Sequence, residues 1–206
     1  MASLAQLTSD VRAWLNRRDI DGLIAGWVSM TETDIAEVLR ARSMIARASQ
    51  AIDANFITLP SGFVSFEEVR DYNTGALLRL EDNYSGPNPY YGGPATAYRL
   101  VGDCIEFLPH PTIGTDPSWQ PQRVHVAYYR RPTALVAGAD TNPVLENHYA
   151  IYLFGVCRYG ALFELDDARA EQAQRMFAEQ VTAANAWKQA ADYSGAPLRA
   201  VMSGGF

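Results

Sequence analysis

The stretch from Pro143 to Asp192 constrains the fold more than any other part of the chain, because its pattern is that of two long helices joined by a short turn. The first predicted helix, 144–164, carries large apolar residues on nearly every face, which is typical of a buried helix. The second, 167–191, keeps a single apolar stripe opposite charged residues, so one of its sides should face solvent. That stripe consists of Ala173, Met176, Phe177, Gln180, Val181, Ala184, Trp187 and Ala191.

The composition of the 206-residue chain is that of an ordinary globular protein, with 48% apolar and 19% charged residues. Its net charge of −6 argues against a general nucleic-acid binder, which usually presents a basic face. We expect no signal peptide and no membrane span, because the sequence has neither a basic and apolar leader nor an apolar run of about 18 residues. Cys104 and Cys157 are expected to be inert thiols in a reducing compartment, although a disulfide remains the alternative.

Two further amphipathic helices are predicted at the start of the chain. The first, 3–16, opens on Ser3 and Gln6 in the spacing of a capping box. The second runs over 22–41 and carries its apolar residues on one face. Two helices in the N-terminal part of the chain and two in the C-terminal part indicate one four-helix bundle.

Between these helices the pattern becomes strand-like and predicts an antiparallel β-domain. Gly102 and Asp103 separate two strand-like runs by two residues, as in a β-hairpin. The predicted class is therefore α+β, with N- and C-terminal helices forming a helical bundle, an antiparallel β-domain inserted between them, and an extended C-terminal tail. The predicted strands are 43–49, 56–59, 62–72, 77–80, 98–101, 104–108 and 124–130; the predicted domains are a bundle of 1–42 and 143–193, a β-domain of 43–131, a linker of 132–142 and a tail of 194–206.

We find no residues whose spacing predicts catalysis, a cofactor site or a metal site. His148 and Cys157 are nine residues apart on one predicted helix, which places them on opposite faces and excludes a nucleophile–base pair. The acidic group Glu164, Asp166 and Asp167 suits the N-terminal cap of the following helix better than a cation site. The three histidines lack metal-ligand spacing, and no phosphate-binding glycine motif occurs.

Two loops and the tail carry the residues best suited to contacts with other proteins. The loop 84–94 is either an ordinary exposed loop or a recognition loop, in which tyrosines supply contact area at low entropic cost. The tail is either disordered or ordered by docking, since it holds more apolar residues than a solubilising tail needs. The candidate contact residues are Tyr84, Tyr90, Tyr91 and Trp119 in the loops, and Leu198, Arg199, Val201, Met202 and Phe206 in the tail.

Several stretches, taken in order, resemble the head-to-tail adaptors of tailed bacteriophages. Each is a weak motif alone, and Gly62 stands where that family often has Asp, but their shared order over about 1–193 is specific. The matching stretches are 7–17 and 33–42 in the first two helices, 59–64 and 126–135 at the entry to and exit from the β-domain, and 149–170 in the hairpin.

The resemblance implies a virion structural protein without enzymatic activity and without cofactors. Such adaptors form a ring, commonly of twelve copies, below the portal protein, where they join capsid to tail and continue the DNA channel. The implied partners are the portal, other copies of the chain, and a tail, nozzle or stopper protein, with genomic DNA passing through without specific binding. The implied location is the virion neck, after synthesis in the host cytoplasm. The tail, 194–206, becomes the candidate for portal binding, through Leu198, Arg199, Val201, Met202 and Phe206.

Two other hypotheses remain open at the sequence level. One is a stopper or tail-completion protein, one layer further from the capsid. The other is a small enzyme with a site between the two lobes, using Asp103, His125 or Glu106 as acid or base.

Overall fold

The computed structural model describes residues 2–81, 92–111 and 121–193 and confirms the predicted α+β class. The chain divides into two compact units. The first comprises Met1–Ser43 and Pro132–Phe206, and the second comprises Met44–Arg131. The helices of the first unit are α1 Leu4–Leu15, α2 Asp21–Val38, α3 Pro143–Asn147, α4 Tyr149–Phe163 and α5 Asp167–Tyr193.

The N-terminal helix α1 begins where the sequence predicts it. The Ser3 hydroxyl accepts a hydrogen bond from the backbone N–H of Gln6 at 3.3 Å, as an N-cap should. The reciprocal half of the expected capping box is wrong, because the Gln6 side chain donates instead to Asp10 Oδ1 at 2.9 Å. The next helix, α2, ends at Val38, three residues before the predicted end, since Leu39 already has an extended backbone.

The first helix of the predicted hairpin is in fact two helices, α3 and α4. The break lies at His148, whose φ of −137° and ψ of 49° are not helical. Asn142 explains the separate start of α3, because its side-chain oxygen accepts hydrogen bonds from the N–H groups of Val144 and Leu145. Pro143 then fills the first helical position, where a missing N–H costs nothing.

The helix α4 lies at the centre of the first unit, where α1, α2 and α5 pack against it. Two glycines make this close packing possible. A Cβ on Gly155 would collide with Thr31 and lie 3.2 Å from the Phe177 ring, and a Cβ on Gly160 would collide with Leu15. The interior of the unit is therefore fitted to glycine at both positions.

The predicted apolar stripe of α5 is correct at four positions and wrong at two, and the side chain of Ala191 lies outside those that the structure describes. Ala173, Phe177, Val181 and Ala184 are buried. Gln180 is exposed and Trp187 is 63% exposed, so neither belongs to the core. The periodicity of α5 continues beyond the part of the helix that the core covers.

The second unit contains two small sheets. One has the order β1-β7-β3 and is antiparallel, and the other has the order β2-β6-β5-β4. The predicted antiparallel character of the domain is confirmed, and β4 departs from it at one edge by pairing with β5 in parallel. The strands are β1 Ile45–Ala51, β2 Phe56–Thr58, β3 Phe63–Asp71, β4 Arg79–Leu80, β5 Ala97–Val101, β6 Cys104–Leu108 and β7 Arg123–Arg130.

The core of the second unit is built by alternation along the strands. Val124 and Val126 on β7 point into it together with Ile105 and Phe107 on β6, and all four are almost fully buried. The predicted β5–β6 hairpin is confirmed, with Gly102 in its turn at a φ of 58°, a conformation that glycine adopts without strain.

Candidate functional site

The candidate contact residues of the sequence analysis lie outside the described residues. This holds for Tyr84, Tyr90, Tyr91 and Trp119 in the loops. It holds equally for the tail candidates, which are Leu198, Arg199, Val201, Met202 and Phe206. The structure does describe the place from which the tail departs, because α5 extends to Tyr193.

A groove of about 470 Å³ lies in the first unit beside the last turns of α5. Trp187 forms one wall, six residues before the end of the helix. The Ser43 Oγ is buried at the groove and has no hydrogen-bond partner in the described part of the chain. The exposed Trp187 gives the groove an apolar surface that a partner can cover. The groove is lined by Arg42, Ser43, Asn147, His148 and Trp187.

His148 lies at the α3–α4 break and is partly buried. Burial lowers the pKa of its imidazole below the ordinary value of 6.5, because the charged ring would lose hydration. The ring is therefore neutral at physiological pH, and this wall of the groove adds no charge.

A catalytic pair of His148 and Cys157 finds no support in the electrostatics of the thiol. Cys157 is fully buried in the middle of α4. Burial raises the pKa of the thiol to about 12, whereas a nucleophilic cysteine needs a lowered pKa. His148 lies at the N-terminal boundary of α4 and not within one long helix, so the predicted helix boundary is wrong at this position.

The acidic corner between α4 and α5 is a helix cap. Asp166 Oδ1 accepts a hydrogen bond from the N–H of Arg169 at 3.0 Å, as predicted for a residue preceding the helix. Glu164 has a different role, since it pairs with Arg17 at 3.5 Å and Arg169 at 4.0 Å. Within the described ranges, no three His, Cys, Asp or Glu side chains are grouped so that they could hold a metal ion.

A buried polar network in the first unit was not anticipated from the sequence. Asn142 Nδ2 donates to the hydroxyl of Tyr152 at 2.8 Å and to the Thr133 carbonyl at 2.9 Å. Glu32, which is 7% exposed, accepts a hydrogen bond from the N–H of Leu135 at 3.0 Å. Burial is the main cause that raises the pKa of the Tyr152 hydroxyl, and the nearby Glu32 carboxylate adds to it. The hydroxyl therefore stays protonated. The capping signal Asn142-Pro143 was visible in the sequence, but the tertiary partners of Asn142 were not.

The three residues proposed for an enzyme site have different neighbours in the second unit. Glu106 is buried, ion-paired with Arg99, and 2.8 Å from His110 Nε2. His125 packs its ring against that of Tyr72 at 4.6 Å between centroids, and Asp103 is exposed in the β5–β6 turn. The structure does not join these residues into one acid–base group.

The electrostatics of Glu106 are those of a structural ion pair. Burial alone would raise the pKa of its carboxyl, but hydrogen bonds from Arg99 and His110 outweigh burial and lower it. Glu106 therefore stays ionised at neutral pH. A carboxyl acting as a general acid would need the opposite shift.

The chain belongs to the SU10 adaptor protein family, whose family model matches residues 2–201, and this confirms the resemblance to bacteriophage head-to-tail adaptors. The match includes both units and most of the tail. No match to the chain was found among curated proteins. In the part of the chain that the structure describes, no helix has the length and apolar character needed to span a membrane.

Proposed function

We propose that this adaptor forms a ring of twelve copies below the portal, joins the capsid to the tail and continues the DNA channel. The family match over residues 2–201 carries this proposal. The role is structural and requires no catalytic residue or cofactor. The partners are the portal, neighbouring copies and a tail, nozzle or stopper protein, and the protein resides in the virion neck.

The C-terminal tail, 194–206, is the proposed portal contact. It follows directly from α5, a 27-residue helix of about 40 Å at 1.5 Å per residue, and so begins far from the acidic corner at the other end of that helix. The proposed anchors are Leu198, Val201, Met202 and Phe206, with Arg199 as a charged contact. Apolar anchors that become buried on docking stabilise a complex more than rim contacts do.

The exposed indole of Trp187 supports this assignment. A Trp that is 63% exposed on a well-packed helix is unusual unless another surface covers it, since Trp is enriched at interfaces. Trp187, in the wall of the groove, lies seven residues before the tail begins at 194. We propose that the groove and the tail act together in portal docking, while Tyr84, Tyr90, Tyr91 and Trp119 contact the neighbouring copy or the tail component.

The proposal is tested by mass measurement of the protein alone and mixed with purified portal rings. We expect a defined ring on the portal. A full-length variant with Leu198→Ser and Phe206→Ser, and a chain ending at residue 193, should keep the helical signal of the native protein and lose portal binding. A matched control changes two polar tail positions, Ser194→Ala and Ser203→Ala, and should bind the portal normally.

Two results would contradict the proposal. If the shortened chain binds the portal with full affinity, the tail is not the contact. If the intact protein assembles with the tail tube and never with the portal, it is a stopper or tail-completion protein.

A further inference from the structure

A basic surface covers the outer face of the three-stranded sheet, and we call it the arginine face. Arg47 on β1, Arg70 on β3, and Arg123 with His125 on β7 are all exposed. The register places Arg70 opposite His125, while Arg47 lies opposite Ala127, two residues further along β7. Because side chains alternate along a strand, these residues point away from the core that Val124 and Val126 enter. A depression of about 480 Å³ lies over this face.

Contacts within the face hold its cationic groups in position. The Arg123 guanidinium lies 5.2 Å from the ring centroid of Tyr72, and the His125 ring packs against the same tyrosine at 4.6 Å. Arg70 pairs with Glu68 at 2.9 Å and donates to the Gly75 carbonyl at 3.2 Å. Side chains that are already ordered lose little entropy when a partner binds.

The charge of this face is opposite to that of the rest of the chain. Its three arginines and Glu68 give it a net charge of +2, counting histidine as neutral. Since the whole chain carries −6, the remaining residues carry −8. A second copy of the chain therefore presents a surface of opposite sign, and complementary charges of this kind orient partners and accelerate their encounter.

One part of that acidic surface has a regular form. Asp167, Glu171, Arg175 and Glu179 recur every four residues along α5, so they share one side of the helix, and all four are exposed. We call this side the acid stripe. It has a net charge of −2 and extends over about 18 Å, at 1.5 Å per residue. The net charges of the acid stripe and the arginine face are equal in size and opposite in sign.

We propose that the arginine face of one copy binds the acid stripe of the next copy, and that this contact joins neighbours in the ring. The inference rests on the proposed ring function and specifies which surfaces meet. Two different surfaces in contact make a heterologous interface, which repeats from copy to copy and forms a ring when the rotation between neighbours closes. Arginine suits a contact with the carboxylates of the acid stripe, because its planar guanidinium pairs with a carboxylate in two-point contacts.

Charge reversal tests the contact in the full-length protein. We expect Arg47→Glu with Arg123→Glu to weaken ring formation on the portal by about tenfold or more. Arg70 is left intact because it is paired within the face. The matched control, Arg79→Glu with Arg18→Glu, makes the same charge change at exposed arginines outside the face and should assemble normally.

A second variant makes the charges of the arginine face and the acid stripe opposite again. It shows whether the first variant lost its ring because the contact was lost or because the fold was damaged. Adding Glu171→Arg and Glu179→Arg to the face variant exchanges the two signs, so we expect rings to return. Wild-type assembly should also weaken between about 0.1 M and 0.5 M salt, because exposed charges are screened.

The outcomes distinguish this inference from the proposed function. If wild-type protein forms no ring on the portal, both fail. If rings form and the face variant assembles as well as wild type, only the charge contact is overturned. If the face variant keeps its rings but loses binding to a 20-base-pair DNA duplex, the face serves nucleic acid and the inference is likewise overturned.

Discussion

Arg158 on α4 forms an ion pair with Asp34 on α2, and both side chains are largely withdrawn from solvent, at 13% and 28% exposure. The hydroxyl of Tyr159 donates to the same carboxylate at 2.6 Å. The guanidinium also donates to Gln174 Oε1 at 2.7 Å and lies 4.7 Å from the ring centroid of Phe177, both on α5. One charged residue therefore ties three helices together.

Removing the carboxylate should destabilise the protein strongly. Asp34→Ala leaves the Arg158 charge partly buried and uncompensated, so we expect the free energy of unfolding to fall by about 2–4 kcal/mol. Urea unfolding followed by circular dichroism measures this change. Asp21→Ala is the matched control, because Asp21 pairs with Arg12 at a site where the side chains are 54% and 38% exposed. That control should cost about 0–1 kcal/mol, and equal losses would contradict the argument.

Gly155→Ala should also destabilise the first unit. The new methyl group would collide with Thr31, whose hydroxyl is tied to the Trp27 carbonyl at 2.8 Å and whose side chain is fully buried. We expect a loss of about 1–3 kcal/mol in thermal or urea unfolding, as for other overpacked cores. Gly26→Ala provides the opposite case, since a Cβ there meets nothing within 4 Å. We expect Gly26→Ala to raise the free energy of unfolding by up to about 1 kcal/mol, because alanine favours the helix. If Gly26→Ala and Gly155→Ala lowered it by similar amounts, close packing at Gly155 would not be the cause.

The buried thiol should resist modification until the protein unfolds. Cys157 is fully buried with a pKa raised to about 12, whereas Cys104 is partly exposed. In a Cys104→Ser variant, an aromatic disulfide reagent near pH 8 should therefore react only after urea is added, because the thiolate is the reactive form. The reciprocal Cys157→Ser variant should react in the native state. Rapid labelling of native Cys104→Ser protein would refute the burial of Cys157.

Glu106 should make the second unit sensitive to acid. Its folded pKa is lowered from the ordinary value of 4.5, so its stabilising contribution is complete above that value and disappears as pH falls through the lowered pKa. We expect Glu106→Gln to be less stable than wild type at neutral pH, and the difference to shrink as pH falls below the ordinary value of 4.5 towards the lowered folded pKa. Glu37→Gln, at an exposed position, should follow the wild-type pH profile. If the stability difference between wild type and Glu106→Gln did not change with pH, the charge of Glu106 would not be what stabilises the second unit.

Much of the fold could be predicted from local patterns. Ser3 marks the start of α1, Asp166 marks that of α5, and the Gly102 turn marks the β5–β6 hairpin, because each is set by residues close in sequence. Patterns failed where the backbone responds to a tertiary partner. The break at His148 lies between Asn142, which caps α3, and Tyr152 on α4, to which Asn142 donates a hydrogen bond. The parallel β4–β5 pair joins residues 18 positions apart, as in Arg79 and Ala97.

The sequence by itself determined the α+β class, the order of its elements and the resemblance to head-to-tail adaptors, because hydrophobic periodicity and capping are local properties of the chain. Only the tertiary structure decided that Trp187 is exposed, that Arg158 is enclosed by three helices, and that the arginines of three separate strands share one face. Burial and charge proximity depend on which distant residues pack together. Periodicity predicts that a residue lies on an apolar stripe, and the extent of the neighbouring core decides whether that part of the stripe is covered.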